Sequence, residues 1–133
     1  MPYVKSDRRR KAITFVYDFA VQGGGTGAKT LVGEDGKARV LPAGALVVGA
    51  YIEPVTTVTS GGAATVKLGI TGNDDSFKAA TAYNDASYNT TFGAATAETP
   101  LKVGGSAVSV LATIATAALT AGKFKVHVEV LLP

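Results

Sequence analysis

The chain has 133 residues, 16 of them glycine, with no cysteine, no tryptophan, one histidine and a formal net charge of +3. That length reads as one domain able to bury a core without staples, and the missing cysteines exclude disulfides, thiol catalysis and cysteine-based metal sites while leaving the compartment open. Heavy use of Gly, Ala, Thr and Val favours short turns and closely spaced strands over helices, and no apolar run nears the roughly 20 residues of a membrane-spanning helix.

Residues 1–10 read as a polar, basic, extended arm, with most of the excess charge in Arg8, Arg9, Arg10 and Lys11. No apolar segment follows those charges, so no secretory signal is expected. Lys11–Val21 (KAITFVYDFAV) then alternates Ile13, Phe15, Tyr17, Phe19 and Val21 against Thr14, Val16, Asp18 and Ala20. Strict alternation of this kind predicts a half-buried strand. Residues 22–27 form a Gly-rich loop, Ala28–Val32 a short strand, Gly33–Gly36 a tight turn and Lys37–Leu41 a second short strand, with Glu34, Asp35 and Lys37 at a solvated tip.

Leu41–Ile70 carries two long apolar runs around Ser60-Gly61-Gly62 and predicts two antiparallel strands. Pro42-Ala43-Gly44 supplies a fixed φ followed by a permissive residue, a turn into the first of them. Leu46, Val48, Ala50 and Ile52 fall on its dry face; Val66, Leu68 and Ile70 do so in the second strand. Pro54 cannot donate to a ladder, so Glu53–Thr59 is expected to bend between sheets or to lie at an edge open to a neighbour. Thr71–Ser76 reads as a polar turn cluster, and Phe77–Thr99 has no clean period, Phe77–Tyr83 fitting a helical turn or a short strand equally. Leu101–Val103 and Ser106–Ala115 predict strands, Thr116–Gly122 a turn, and Lys123–Leu132 a last strand with Phe124, Val126, Val128, Val130 and Leu132 inward. About eight to ten short strands with turns every ~8–12 residues predict an all-β fold: an antiparallel β-sandwich, jelly-roll-like, or a small β-barrel. The domain is expected over residues 11–133, with the arm before it.

The side chains that carry chemistry are few. A nucleophilic triad needs a histidine with a placed partner, and His127 sits mid-strand beside Lys125 and Glu129 on the wet face, which reads as a half-exposed strand residue. Zinc would need two or more His or Cys ligands. Asn73-Asp74-Asp75-Ser76 is oxygen-rich but lacks the spaced carboxylates and distal Glu of a calcium loop. Residues 22–30 join glycines to Lys29-Thr30 without the spacing or the following helix of a phosphate-binding loop. No cofactor, metal or small-molecule ligand is therefore expected, and no enzymatic activity. The basic arm suits solvent or an acidic patch on a protein partner; without interleaved aromatics or a wider basic face, nucleic acid is not the expected partner. Tyr83, Asn84, Asp85, Tyr88 and Asn89 together suggest a sugar platform, although tryptophan, the usual stacking surface, is absent.

Four phrases carry a family likeness: the Pro-Ala-Gly-Ala turn within Leu41–Ala45, the Gly-Gly-Ala-Ala-Thr hairpin at Gly61–Thr65, Gly69–Asp75, and the closing Leu-Thr-Ala-Gly-Lys at Leu119–Lys123. Over residues 40–75 and 105–132 the chain resembles small tailed-bacteriophage virion proteins, in particular capsid decoration or cement proteins. That resemblance implies a non-enzymatic structural protein made in the host cytoplasm and bound outside the capsid to the major capsid protein, as a homotrimer. A head-fibre base, a tail component or a carbohydrate-binding β-sandwich are the alternatives. The expected partner contacts are Arg8, Arg9, Arg10 and Lys11 of the arm, Pro54, Val55 and Val58 of the interrupted strand, and Phe77, Tyr83, Tyr88 and Phe92 of the aromatic-spotted segment.

Overall fold

The computed structural model describes residues 9–95 and 101–133. Its elements run β1 (Arg10–Asp18), α1 (Phe19–Gln22), β2 (Gly27–Thr30), β3 (Leu46–Ser60), β4 (Thr65–Ile70), β5 (Asn73–Ala82), α2 (Ala86–Asn89), β6 (Gly93–Ala94), β7 (Leu101–Lys102), β8 (Val110–Ala115) and β9 (Leu119–Leu131). One sheet, A, has the order β1-β9-β3-β6 with β7 also on β3, and the other, B, the order β2-β8-β4-β5. The antiparallel pairs β1·β9, β2·β8, β3·β6 and β4·β5 are successive stretches of one long folded hairpin, dealt alternately to the two sheets. Rolling such a hairpin around a sandwich gives a jelly roll. One flank is laced shut: Leu31 N–H donates to the Val110 carbonyl of sheet B (2.9 Å), and Val32 exchanges bonds with Val16 of sheet A (2.7 and 3.3 Å).

The core is the dry face of each strand set against the other sheet. Ile13, Phe15 and Tyr17 of β1 and Phe124, Val126, Val128 and Val130 of β9 meet Val66, Leu68 and Ile70 of β4 and Val110, Ala112 and Ile114 of β8. Phe124 sits between Tyr17 (centroids 5.3 Å apart) and Tyr88 (5.2 Å). Both buried phenols find acceptors, Tyr17 at the Gly23 carbonyl and Tyr88 at the Val66 carbonyl, each at 2.8 Å, because a buried hydroxyl without a partner costs free energy.

Several expected boundaries move, each for an identifiable reason. The first strand ends at Asp18, not Val21: the Asp18 carboxylate accepts from Ala20 N–H (3.0 Å) and caps α1, so Phe19 and Val21 leave the sheet. In β3 the buried residue is Val47, not Val48, before Ala50 and Ile52, because a bulge between Val47 and Gly49 reverses the alternation. Pro54 neither breaks β3 nor moves it to the other sheet; a second register shift, between Pro54 and Thr56, absorbs it. Lys37–Leu41 forms no strand, only the single bridges Val32↔Ala38 and Leu41↔Val108.

Beyond Ile70 the turn contracts to Thr71-Gly72, with Gly72 at φ +89, and the supposed turn residues Asn73–Ser76 begin β5. An edge strand tolerates them because its polar groups find water or charge, as Asp74 does at Lys67 (3.1 Å). Phe77–Ala82 completes that strand. The Thr116–Gly122 turn shortens to residues 116–118, β9 starting at Leu119, and β8 starts at Val110, not Ser106. Arg10 already lies in β1, and Arg9 accepts from Leu132 N–H (2.7 Å). The last two residues assigned to the arm are therefore tied to sheet A.

Candidate interaction face

Cross-strand register on sheet A builds rows across β1, β9 and β3: Ala12–Glu129–Gly49, Thr14–His127–Tyr51, Val16–Lys125–Glu53 and Asp18–Lys123–Thr56. Side chains on the wet side of those rows pair along the face. Arg10 meets Glu129 at 3.2 Å, His127 Nε2 meets Glu53 Oε1 at 2.7 Å, Lys125 Nζ meets Glu34 Oε2 at 2.6 Å, and Lys123 meets Asp18 at 3.8 Å. The hydrogen bond from Lys125 holds the Glu34 carboxyl below its usual range, and Glu34 raises the Lys125 ammonium in return. Over the middle row lies Phe92, from the loop before β6. Its ring stacks on Tyr51 (6.3 Å, 3° between planes) and tilts against His127 (6.2 Å), yet 61% of the residue stays exposed.

Thr14 Oγ1 lies 2.9 Å from His127 Nδ1, so Thr14, His127 and Glu53 form a hydroxyl–imidazole–carboxylate row. A carboxylate can only accept, so Nε2 carries a proton, and in the neutral ring Nδ1 accepts from the threonine hydroxyl. The sequence of groups is that of an acyl-transfer triad, but the surroundings are not. Stabilising an oxyanion takes donors aimed at the reacting atom, whereas the amides around this row lie in the plane of the sheet, at right angles to its side chains. The row instead ties β1, β9 and β3 together at mid-face.

The concave features lie elsewhere. An open depression of about 610 Å³ is lined by Ala43, Gly44 and residues 102–105, Lys102 among them. A smaller cleft of about 140 Å³ runs under the Gly33–Gly36 turn, between Val16, Val21 and Val32 and the charged pairs of Lys123 and Lys125. No cluster of three or more His, Asp or Glu able to hold a metal occurs among the described residues, and no helix there is long and apolar enough to cross a membrane.

The contact candidates divide by burial. Phe77 and Tyr88 have no accessible surface and Val58 only 2%; all three are core, and the folded domain cannot offer them to a partner. Tyr83 is partly buried and packs against that core. Arg9, Arg10 and Lys11 are exposed, as are Val55 (50%) and Phe92, with Pro54 half-buried beside Val55. Arg8 lies outside the described residues. The sugar platform is not assembled: Tyr88 is buried, and Asp85 caps α2 by accepting from Ser87, which holds its carboxyl below the usual range. Asn89 is likewise occupied, accepting from Val58 N–H (2.7 Å) and donating to the Tyr83 and Asp85 carbonyls. Val21 (61% exposed) and Val40 (45%) are apolar surface that the sequence reading missed. Glu53 and Tyr51 beside His127 were also missed, for strand pairing is not written in one strand's alternation.

No family model and no curated protein matches the chain. Among the solved structures that share its fold, three cover nearly the whole chain. They are a chain of the capsid asymmetric unit of cyanophage Pam1 (23% identity, TM-score 0.62, covering 100% of this chain and 91% of that one), a chain of the acidic stable capsid of Helicobacter pylori bacteriophage KHP30 (18%, 0.61, 96% and 90%), and a chain of the capsid of Ralstonia phage GP4 (17%, 0.65, 99% and 90%).

Proposed function

We propose that this chain is a structural, non-enzymatic protein of a phage virion, bound to the outside of the capsid as a decoration or cement protein and stabilising the shell. The observation that carries this reading is the end-to-end likeness to chains in three phage capsid structures, each covering nine-tenths or more of both partners. The physical build fits the role: two packed sheets with exposed cations and apolar groups on their surface.

The major capsid protein is the proposed partner and a homotrimer the proposed state. Arg9, Arg10, Lys11, Pro54, Val55 and Phe92 are the contacts the folded domain leaves accessible, with Arg8 beside them in sequence. The test is binding to capsids purified without this protein, followed by thermal disruption of the particles. Saturable occupancy with a raised disruption temperature supports the reading; no binding, or binding without stabilisation, defeats it. Light scattering of the free protein at three times the chain mass supports the trimer, and a stable monomer removes it.

A further inference from the structure

The two sheets have four outer edges, and three are blunted. β2 is four residues long. β5 is broken by register shifts and carries Asp74 and Asp75. The outer side of β3 is covered by β7, β6 and the Asn89 cap on Val58. Short, bulged, charged or covered edges resist pairing with another chain. β1 is different: nine consecutive residues pair with β9 without a register shift.

Backbone parity shows which of its groups point away from β9. Val16 exchanges hydrogen bonds with Val32 on the side away from β9, so Arg10, Ala12 and Thr14, at even spacing from Val16, turn their N–H and C=O groups the same way. Among the described residues, no backbone hydrogen bond reaches those three from that side. Ala12 is exposed, as are Arg9, Arg10 and Lys11 around it. Two copies of this edge laid antiparallel would bring those cations together, an unfavourable pairing.

We infer that the β1 edge from Arg10 to Thr14 accepts an extended acidic segment of the capsid partner, added to sheet A as a further strand in line with Val32. This mode rests on the capsid-binding reading. Main-chain bonds give affinity in such strand addition, and side-chain complementarity gives selection; here the selection is for carboxylates opposite Lys11 and Arg10, the latter exchanging its exposed pair with Glu129.

Ala12→Pro deletes one outward N–H without touching the β9 ladder, a position where an edge strand tolerates proline. With capsids lacking this protein as the probe, Ala12→Pro is expected to bind at least tenfold more weakly than wild type, while Ala12→Ser, which keeps the N–H, binds as wild type. Equal binding by the proline variant overturns the strand-addition mode and leaves the capsid reading standing; no binding by the wild type overturns that reading, and the mode with it. If the proline variant fails to fold, amide exchange on the wild type decides: slowed exchange at Ala12 and Thr14 on capsid binding supports the mode, and unchanged exchange removes it. Self-association that depends on the Ala12 N–H would assign the edge to a second copy and refute an acidic partner.

Discussion

Tyr88 and Phe92 lie four residues apart in a segment of weak periodicity, and truncating each should have consequences of very different size. Tyr88 is fully buried against Phe124, and its hydroxyl donates to the Val66 carbonyl at 2.8 Å near the start of β4. Tyr88→Ala removes a large aromatic from a closed site, a class of change that costs about 3–5 kcal/mol. Tyr88→Phe keeps the ring and deletes only the hydrogen bond, leaving the carbonyl short of a partner for about 1–3 kcal/mol. Phe92→Ala, from a ring 61% exposed, should stay within about 0.5 kcal/mol. With a urea slope of about 1.5 kcal/mol per molar, Tyr88→Phe lowers the midpoint by roughly 0.7–2 M, Phe92→Ala by roughly 0.3 M or less, and Tyr88→Ala by 2 M or more. Equilibrium urea unfolding followed by circular dichroism reads all three. A Phe92→Ala midpoint as low as that of Tyr88→Phe would refute the division of this segment into core and surface.

Gly69 faces the bulged start of β5, and a Cβ there would lie 2.3 Å from the Asn73 oxygen and the Asp74 carbonyl carbon; both are backbone atoms, so Gly69→Ala should cost about 1–3 kcal/mol or more, seen as a lowered melting temperature. Thr116 is β-branched yet sits at φ +74, so Thr116→Asn, which tolerates that region, should raise stability by up to about 1 kcal/mol, and a drop in melting temperature would count against the turn as described. Burial, helped by Asp18, pushes the Tyr17 phenol up to about 12, and burial with a lesser push from Asp85 raises Tyr88 further. The folded state thus favours the neutral phenols. The stability they contribute is complete below the unfolded value near 10 and is lost as pH rises toward the folded values. Alkaline unfolding in the window above pH 10 is the expected outcome, with phenolate absorbance from these two groups appearing together with loss of the β-sheet signal; their ionisation near pH 10 in a folded protein would contradict the burial.

Much of the fold was legible because each core strand writes its burial in alternate residues. Ile13–Tyr17, Val66–Ile70 and Phe124–Val130 needed nothing beyond a two-residue period. The errors occur where a local event resets that period. The bulge at Val47–Gly49 moves burial onto Val47, and nothing in Leu46-Val47-Val48-Gly49 marks it except the glycine. At Asp18 the same residue type serves a strand face and a helix cap, so alternation alone carried the strand too far. In β5, polar composition was mistaken for a turn although an edge strand needs few inward residues, here the buried Ser76 and Phe77. The contact set suffered from the same limit: Tyr88 and Phe92 look alike in a segment of low periodicity, and only the one-turn helix capped by Asp85 decides that the first points inward.

Stability and attachment are separable in this architecture, and the separation follows from where each kind of energy resides. The aromatic cluster of Tyr17, Phe124 and Tyr88 lies between the sheets, where burial acts in full and partners are fixed. The ion pairs of sheet A lie on its wet face, where solvent screens them and each contributes little to folding. On the proposed capsid-binding reading, that arrangement is favourable. Charges with small folding value can be committed to a partner without loosening the domain, and backbone groups at the straight β1 edge can accept another strand because β9 alone already holds β1 in register. A partner that recognised this chain by opening its core would face the whole burial free energy of folding; one that adds to the rim faces only the ordering of its own segment. The unblunted rim of sheet A and the basic residues Arg9, Arg10 and Lys11 that flank it are therefore where attachment is least opposed by folding.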